Sequence, residues 1–216
     1  MIFYNTINDV LKDQLLIIMS AQLFEPFRLV GGTALSLQIG HRRSIDIDLF
    51  TDAPYRSIDF NNIEKFIIKT FPYHDLSYNI PIAMGKSYLI GPEKSKAIKL
   101  DLFYTDPFIQ PPLIQDTIKM ATVDEIIAMK IDVIQRTGRK KDFWDLHELL
   151  PQYTIESMLR LHKKRYPYSH DRSLIIKNFT NFQLADDDFD PICLRGKYWE
   201  FIKEDIIEQV EAYKNK

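Results

Sequence analysis

Asp46 and Asp48 stand two residues apart in the run Ile45-Asp-Ile-Asp-Leu-Phe50, where acidic and apolar residues alternate with the period of an extended strand. Side chains at i and i+2 of a strand share a face, so the two carboxylates point together while Ile45, Ile47 and Leu49 face the core. Carboxylates this close repel and are costly unless a cation lies between them. A hard divalent ion suits them: Mg²⁺ (or Mn²⁺) takes one or two carboxylates and leaves positions for water and substrate phosphates. Asp101, between Leu100 and Leu102 in a second alternating run, supplies a third ligand. Three such carboxylates on neighbouring strands can hold two ions about 3.5–4 Å apart, one acting on an attacking hydroxyl and one on a leaving pyrophosphate.

Gly31-Gly32 precedes Asp46 by a spacer of thirteen residues. Glycines between a strand and a short helix let the backbone approach a triphosphate, whose charge is met by N–H groups and by the positive end of the helix. Thr33 follows them at the start of the helix and, with Gly31 and Gly32, is expected to hold the triphosphate. The competing reading is a tight turn beside an ordinary exposed strand. It is disfavoured because aspartate repeated along a strand runs against propensity and wants a reason.

The elements that must position these residues follow from periodicity. Apolar residues of Asn8 to Leu23 lie on one helical stripe, Phe27 to Val30 is a short strand, and Thr33 to Gln38 a short helix. Strands are expected at Ile45 to Phe50, Ser87 to Ile90 and Ile98 to Tyr104, with a helix from Ile58 to Phe71. A proline-containing connection over roughly 107 to 121 marks the one internal boundary, and no strand signal follows it. Thr122-Val-Asp-Glu125 is a capping box opening a helix to about Arg136, which Gly138 stops. Further helices are expected over Lys141 to Leu150, Ile155 to Arg165, Ser173 to Phe182 and Lys197 to Tyr213. The fold class is α+β: a mixed-sheet lobe with helices over residues 1–115, then a helical lobe over 116–216.

Composition limits the setting. Apolar and charged residues at 45% and 27% describe a globular chain able to bury a core, and 12% aromatic content argues against disorder. Cys193 is the single cysteine, which excludes an internal disulfide and a cysteine-rich zinc site and makes a reducing, cytoplasmic setting the simplest. The apolar run Leu15 to Met19 is too short to span a bilayer, so no membrane is expected. The net charge of −2 conceals basic clusters at His41-Arg42-Arg43, Arg139-Lys140-Lys141 and His162 to Arg165, so the total says little about nucleic acid.

The stretch from Leu29 to Phe50, with its Gly-Gly-Thr turn and Asp-x-Asp strand, closely resembles the first motif of the AbiEii/AbiGii toxin family, a branch of the polymerase-β-like nucleotidyltransferases. Lys99-Leu-Asp101-Leu resembles that family's third-carboxylate strand, while Met129-Lys130 and Lys140-Lys-Asp-Phe-Trp-Asp145-Leu resemble its helical motifs. The resemblance implies a nucleoside triphosphate and metal site between an α/β lobe and a helical lobe. It further implies nucleotide transfer to an acceptor hydroxyl, which in some members belongs to an RNA, the acceptor end of tRNA, and often a toxin's role beside a separate antitoxin protein. The chain is shorter than the larger members, which leaves the acceptor surface open.

Read as residues, the helical motif agrees in kind. Lys130 can present a point charge to the β- or γ-phosphate. Asp142 and Asp145, at i and i+3, share a helix face and either orient Lys130, Lys141 or Arg43, recognise base or ribose, or form a charge network between the lobes. Arg43 lies nearer Asp46 than Arg42 does and is preferred for phosphate, with an exposed solubilising loop as the alternative. His147 reads as a packed or surface histidine, Asp186 to Asp190 as a solvated acidic turn without the glycine and distal glutamate of a calcium loop, and Lys163-Lys-Arg-Tyr166 as a basic helix end or an RNA-backbone contact. Two other functions compete with nucleotidyl transfer: γ-phosphate transfer, and nucleotide or protein binding without catalysis.

Overall fold

The computed structural model describes residues 1–77 and 84–215. The chain forms two compact units: Met1–Ile39, Ser44–Pro107 and Pro111–Ala121 make one, and Gly40–Arg43, Phe108–Gln110 and Thr122–Lys216 the other.

The first unit is built on a seven-stranded mixed sheet, and its helices and strands alternate as far as Thr70, after which five strands follow in succession. α1 (Asp9–Ser20) is capped by Asn8, whose side chain accepts the Leu11 N–H at 2.8 Å, and it buries Leu11, Leu15 and Ile18 completely. β1 (Arg28–Leu29), α2 (Gly31–Ile39), β2 (Ile47–Thr51) and α3 (Phe60–Thr70) follow. Next come β3 (Tyr73–Asp75), β4 (Gly85–Gly91), β5 (Ile98–Tyr104), β6 (Leu113–Gln115) and β7 (Ile118–Met120). The sheet order is β3-β4-β5-β2-β1-β7-β6, with β2 parallel to β5 and antiparallel to β1. Ile47, Leu49, Leu100 and Leu102 are fully buried on one face of the β2–β5 pair, which is why the intervening residues project from the other.

The sequence leaves β3, β6 and β7 unannounced. β6 and β7 form a hairpin inside the stretch expected to be a plain connection. Its turn residues, Asp116 and Thr117, have φ of 48° and 69°, a left-handed geometry usually flagged by Asn-Gly or Asp-Gly, so the signal is absent. Ile45 also departs from expectation. It is 65% exposed rather than core-facing, because β2 pairs with β5 only from Ile47 onward.

The second unit is helical: α4 (Val123–Arg136), α5 (Lys140–Leu149), α6 (Ile155–Arg165), α7 (Arg172–Asn178), the short α8 (Gln183–Asp186) and α9 (Trp199–Lys214). Phe143, Trp144, Phe179, Phe182 and Trp199 lie in its core, with the Phe143 and Phe182 rings 5.0 Å apart. Thr122 caps α4 as its sequence predicts, accepting the Glu125 N–H at 3.3 Å. The other half of the expected capping box is not made. The buried Glu125 carboxylate instead accepts the N–H groups of Ile109 (2.9 Å) and Gln110 (3.2 Å) and pairs with the buried Arg165. Arg165 is thereby removed from the basic patch expected at Lys163 to Tyr166. Gly138, at φ 65°, closes α4 where a Cβ would stand 2.7 Å from the Phe143 ring.

Candidate active site

Asp48 on β2 and Asp101 on β5 are direct partners across the parallel pair, so their side chains leave the same face of the sheet. Gly31 opens α2 with a φ of 66°, and a Cβ built on it would lie 2.8 Å from Asp48 Oδ2. The glycine is required twice, by its left-handed backbone and by its approach to the carboxylate. Val30 N–H donates to the Asp48 carbonyl at 2.8 Å and fixes the strand end against β2.

Asp46 lies one residue before β2 and is held by another route. The buried Thr33 hydroxyl donates to the Asp46 carbonyl at 2.5 Å, and the Ser44 hydroxyl lies 2.8 Å from the Thr33 oxygen. Thr33 has a single hydroxyl proton, which the carbonyl takes, so Ser44 must donate to Thr33. The side chain of Thr33 is thus committed to the loop that carries Asp46.

Lys99, two residues before Asp101 and on the same face of β5, places Nζ 2.5 Å from Asp101 Oδ2. Partial burial pulls the Lys99 pKa down, but the Asp101 hydrogen bond and the charges of Asp101, Asp48 and Asp46 outweigh it and raise the pKa above the usual lysine value. All three carboxylates therefore act on one ammonium. Asp101 Oδ1, by contrast, is buried without a hydrogen-bond partner. Among the described residues, no three histidine, cysteine or carboxylate side chains gather closely enough to ligate one ion by themselves. The donor set still suits Mg²⁺ or Mn²⁺: a cross-strand carboxylate pair with an unsatisfied buried oxygen matches an ion that draws most of its ligands from water and substrate phosphate.

The second unit holds a separate buried network. Asp145 accepts Arg42 Nε at 2.6 Å and Nη2 at 2.9 Å, His41 Nε2 at 2.7 Å and Lys130 Nζ at 2.6 Å. Lys130, only 5% exposed, also reaches Asp142 Oδ1 at 2.7 Å, and Asp142 Oδ2 takes the Arg139 N–H at the start of α5. Burial alone pushes the Asp145 pKa up, yet Arg42, Lys130 and the hydrogen bonds hold it well below the ordinary carboxylate range. Burial pulls Lys130 down, and Asp142 and Asp145 more than restore it. His41 is lowered by burial despite its bond to Asp145. Two carboxylates and two permanent cations thus neutralise one another.

Of the residues singled out in the sequence, Gly31, Asp48 and Asp101 come together in the first unit, where Thr33 holds the Asp46 carbonyl and the Asp46 charge reaches Lys99. Gly32 lies beside them on α2. Lys130, Asp142 and Asp145 come together in the second. Arg43 is exposed there and Lys141 half-buried on α5, while Arg42 makes the buried ion pair. The sequence does not announce His41, Ser44 or the placement of Lys99, and it ranks Arg42 behind Arg43. Lys99 had a signal, its i, i+2 relation to Asp101; His41 and Arg42 had only their membership of a basic cluster. His147 packs against Asp205 at 2.8 Å, and the acidic turn is ion-paired rather than free, with Asp188 on Arg139 and Asp190 on Lys140.

Residues 15–215 match the family model described as nucleotidyl transferase AbiEii toxin, type IV TA system. The chain is 31% identical over 205 residues to an uncharacterized protein of Aquifex aeolicus (strain VF5), covering 91% of this chain and 92% of that one. Among solved structures, a putative nucleotidyltransferase from H. pylori superposes with a TM-score of 0.59 at 20% identity, over 95% of this chain and 94% of that chain. MenT4, a nucleotidyltransferase toxin from Mycobacterium tuberculosis H37Rv, gives 0.61 at 16% identity, over 93% and 82%. At these identities the two structures establish a shared fold. No helix among the described residues is long and apolar enough to cross a membrane.

Proposed function

We propose, from the premise that the chain belongs to the nucleotidyl transferase AbiEii toxin family, that it moves a nucleoside monophosphate from a nucleoside triphosphate to an acceptor hydroxyl. The observation that carries this reading is the cross-strand pairing of Asp48 with Asp101 directly beside the Gly31 turn.

In the proposed reaction the acceptor oxygen bonds to the α-phosphorus, the bond from that phosphorus to the bridging oxygen breaks, and pyrophosphate leaves with the bond's electrons. Asp101 takes the hydroxyl proton, a role suited to a carboxylate with one buried oxygen unsatisfied. Asp48 and Asp101 would hold Mg²⁺ or Mn²⁺, which when bound supplies positive charge to the attacking and leaving oxygens, and Asp46 is the proposed further carboxylate, joining through the ion's water or substrate shell. Gly31 and Gly32 offer a backbone surface that a polyphosphate can approach closely. Thr33 acts at one remove, by fixing the carbonyl of Asp46. Arg43 and Lys141 are the cations proposed for phosphate, and the buried Lys130–Asp142–Asp145 network keeps the helical motif rigid around Arg42.

The family's description supports a toxin paired with an antitoxin, and the cytoplasm is the proposed setting because the lone Cys193 needs no oxidising compartment. RNA is the proposed acceptor class, with tRNA the first candidate. The exposed Lys163 and Lys164 at the end of α6 are suited to a phosphate backbone. The test is incubation of the purified chain with Mg²⁺, each α-labelled nucleotide and total RNA. Transfer of label by wild type and not by a folded Asp48→Ala variant is expected; no transfer to any acceptor under any of these conditions would reject the proposal.

A further inference from the structure

Lys99 occupies an unusual position for a basic side chain. Its ammonium sits 2.5 Å from one oxygen of Asp101 and within the field of Asp48 and Asp46. Asp48 and Asp101 face each other across two strands, an arrangement that repels unless positive charge lies near. Among the described side chains, Lys99 meets that need. It does so incompletely, since Asp101 Oδ1 remains buried without a partner.

The side chain is also free to leave. It is 42% exposed against 14% for Asp101, and its flexible four-carbon stem can carry the ammonium several ångströms without moving β5. A divalent ion brought to the same carboxylates would face a resident positive charge at close range. One of the two must move, and the lysine is the one with somewhere to go.

We infer that Lys99 is the resident counter-cation of the carboxylate cluster, that it is displaced when the divalent ion and nucleotide bind, and that its ammonium then pairs with the triphosphate. This rests on the carboxylate-site reading above and adds an exchange step to it. Lys99 is here a positioning residue that keeps Asp48 and Asp101 together before substrate arrives and follows the charge when it does. A permanent Lys99–Asp101 pair, the static alternative, makes the opposite demand: its removal would loosen the site and weaken the metal.

The experiment is calorimetric titration of the whole chain with Mg²⁺, and with Mn²⁺ in parallel, for wild type, Lys99→Met, Lys99→Gln, Lys99→Arg and Asp48→Asn, with thermal unfolding measured in the absence and presence of the ion. Both neutral variants are expected to bind the ion about tenfold more tightly than wild type while unfolding at lower temperature without it. Lys99→Arg is expected to keep the weaker wild-type affinity. The nucleotide KM is expected to rise in the neutral variants, a direction opposite to that of metal affinity, which general damage to the fold would not produce. Equal or weaker ion binding by both neutral variants, with wild type binding and Asp48→Asn not, overturns the role of Lys99 alone. Absence of binding by wild type and the neutral variants alike overturns the carboxylate site itself.

Discussion

Asp48 and Asp101 are register partners on parallel strands β2 and β5, each flanked by fully buried leucine or isoleucine on the opposite face. The sheet core therefore fixes where both carboxylates stand. Changing one to asparagine keeps the shape and removes repulsion, so Asp48→Asn and Asp101→Asn are expected to match or exceed wild type in thermal stability without metal. Nucleotide transfer, measured with α-labelled nucleotide, is expected to fall by about 10²–10³-fold or more. Loss of stability in both variants would mean that the carboxylates serve the fold instead.

Gly31 bears two constraints that a single methyl group violates. Gly31→Ala must hold a left-handed backbone, at roughly 1–2 kcal/mol, and must also push Asp48 Oδ2 away from its 2.8 Å position. Reduced stability in urea and near-complete loss of transfer are expected together. Gly196, also at positive φ but with open space around it, is the control: Gly196→Ala is expected to leave transfer intact.

Thr33 links its hydroxyl to the Asp46 carbonyl and to Ser44. Thr33→Val keeps the volume and removes the bond, with an expected loss of about 1 kcal/mol and about a tenfold fall in kcat. Thr33→Ser, which retains the hydroxyl, is expected to recover most of both. Recovery failing in the serine variant would assign the methyl group, not the hydroxyl, the working role.

Asp145 ties Arg42, His41 and Lys130 together in the interior of the helical unit. Asp145→Ala takes away the carboxylate that buried Arg42 and Lys130 share, leaving Lys130 with Asp142 alone, and a destabilisation of roughly 3–5 kcal/mol is expected by chemical denaturation. Its pKa also sets a pH dependence. The folded value is depressed below the unfolded one, so its contribution is fully present above the ordinary carboxylate range of about 4 and fades as pH falls toward the lower folded value. Wild-type unfolding temperature is expected to drop on acidification below that range, and Asp145→Asn to show a shallower acid limb.

Much of this architecture was legible in the residues. The period-two alternation of Ile98 to Tyr104 and the Thr122 cap locate β5 and α4 with their bounds, because burial of one face and satisfaction of a first-turn N–H are local demands. The joining of Asp48 to Asp101 needed the parallel register, which no local pattern encodes. Glu125 shows where local logic stops. Its spacing from Thr122 suits a capping box, but two backbone amides and Arg165 from distant chain segments outcompete the nearby N–H for its carboxylate. Lys130 shows the same thing in the helical unit: a lysine on a helix face offers a point charge to any anion, and its pairing with buried Asp142 and Asp145 has no local signal.

Which phosphorus receives the attack separates nucleotidyl transfer from phosphotransfer. Parallel reactions of wild-type chain with α-labelled and γ-labelled nucleotide, Mg²⁺ and total RNA distinguish the two bonds, with Asp48→Ala as the blank. Nucleotidyl transfer puts label on the acceptor from the α-position alone and releases labelled pyrophosphate from the γ-labelled nucleotide. Label on the acceptor from the γ-position would contradict it.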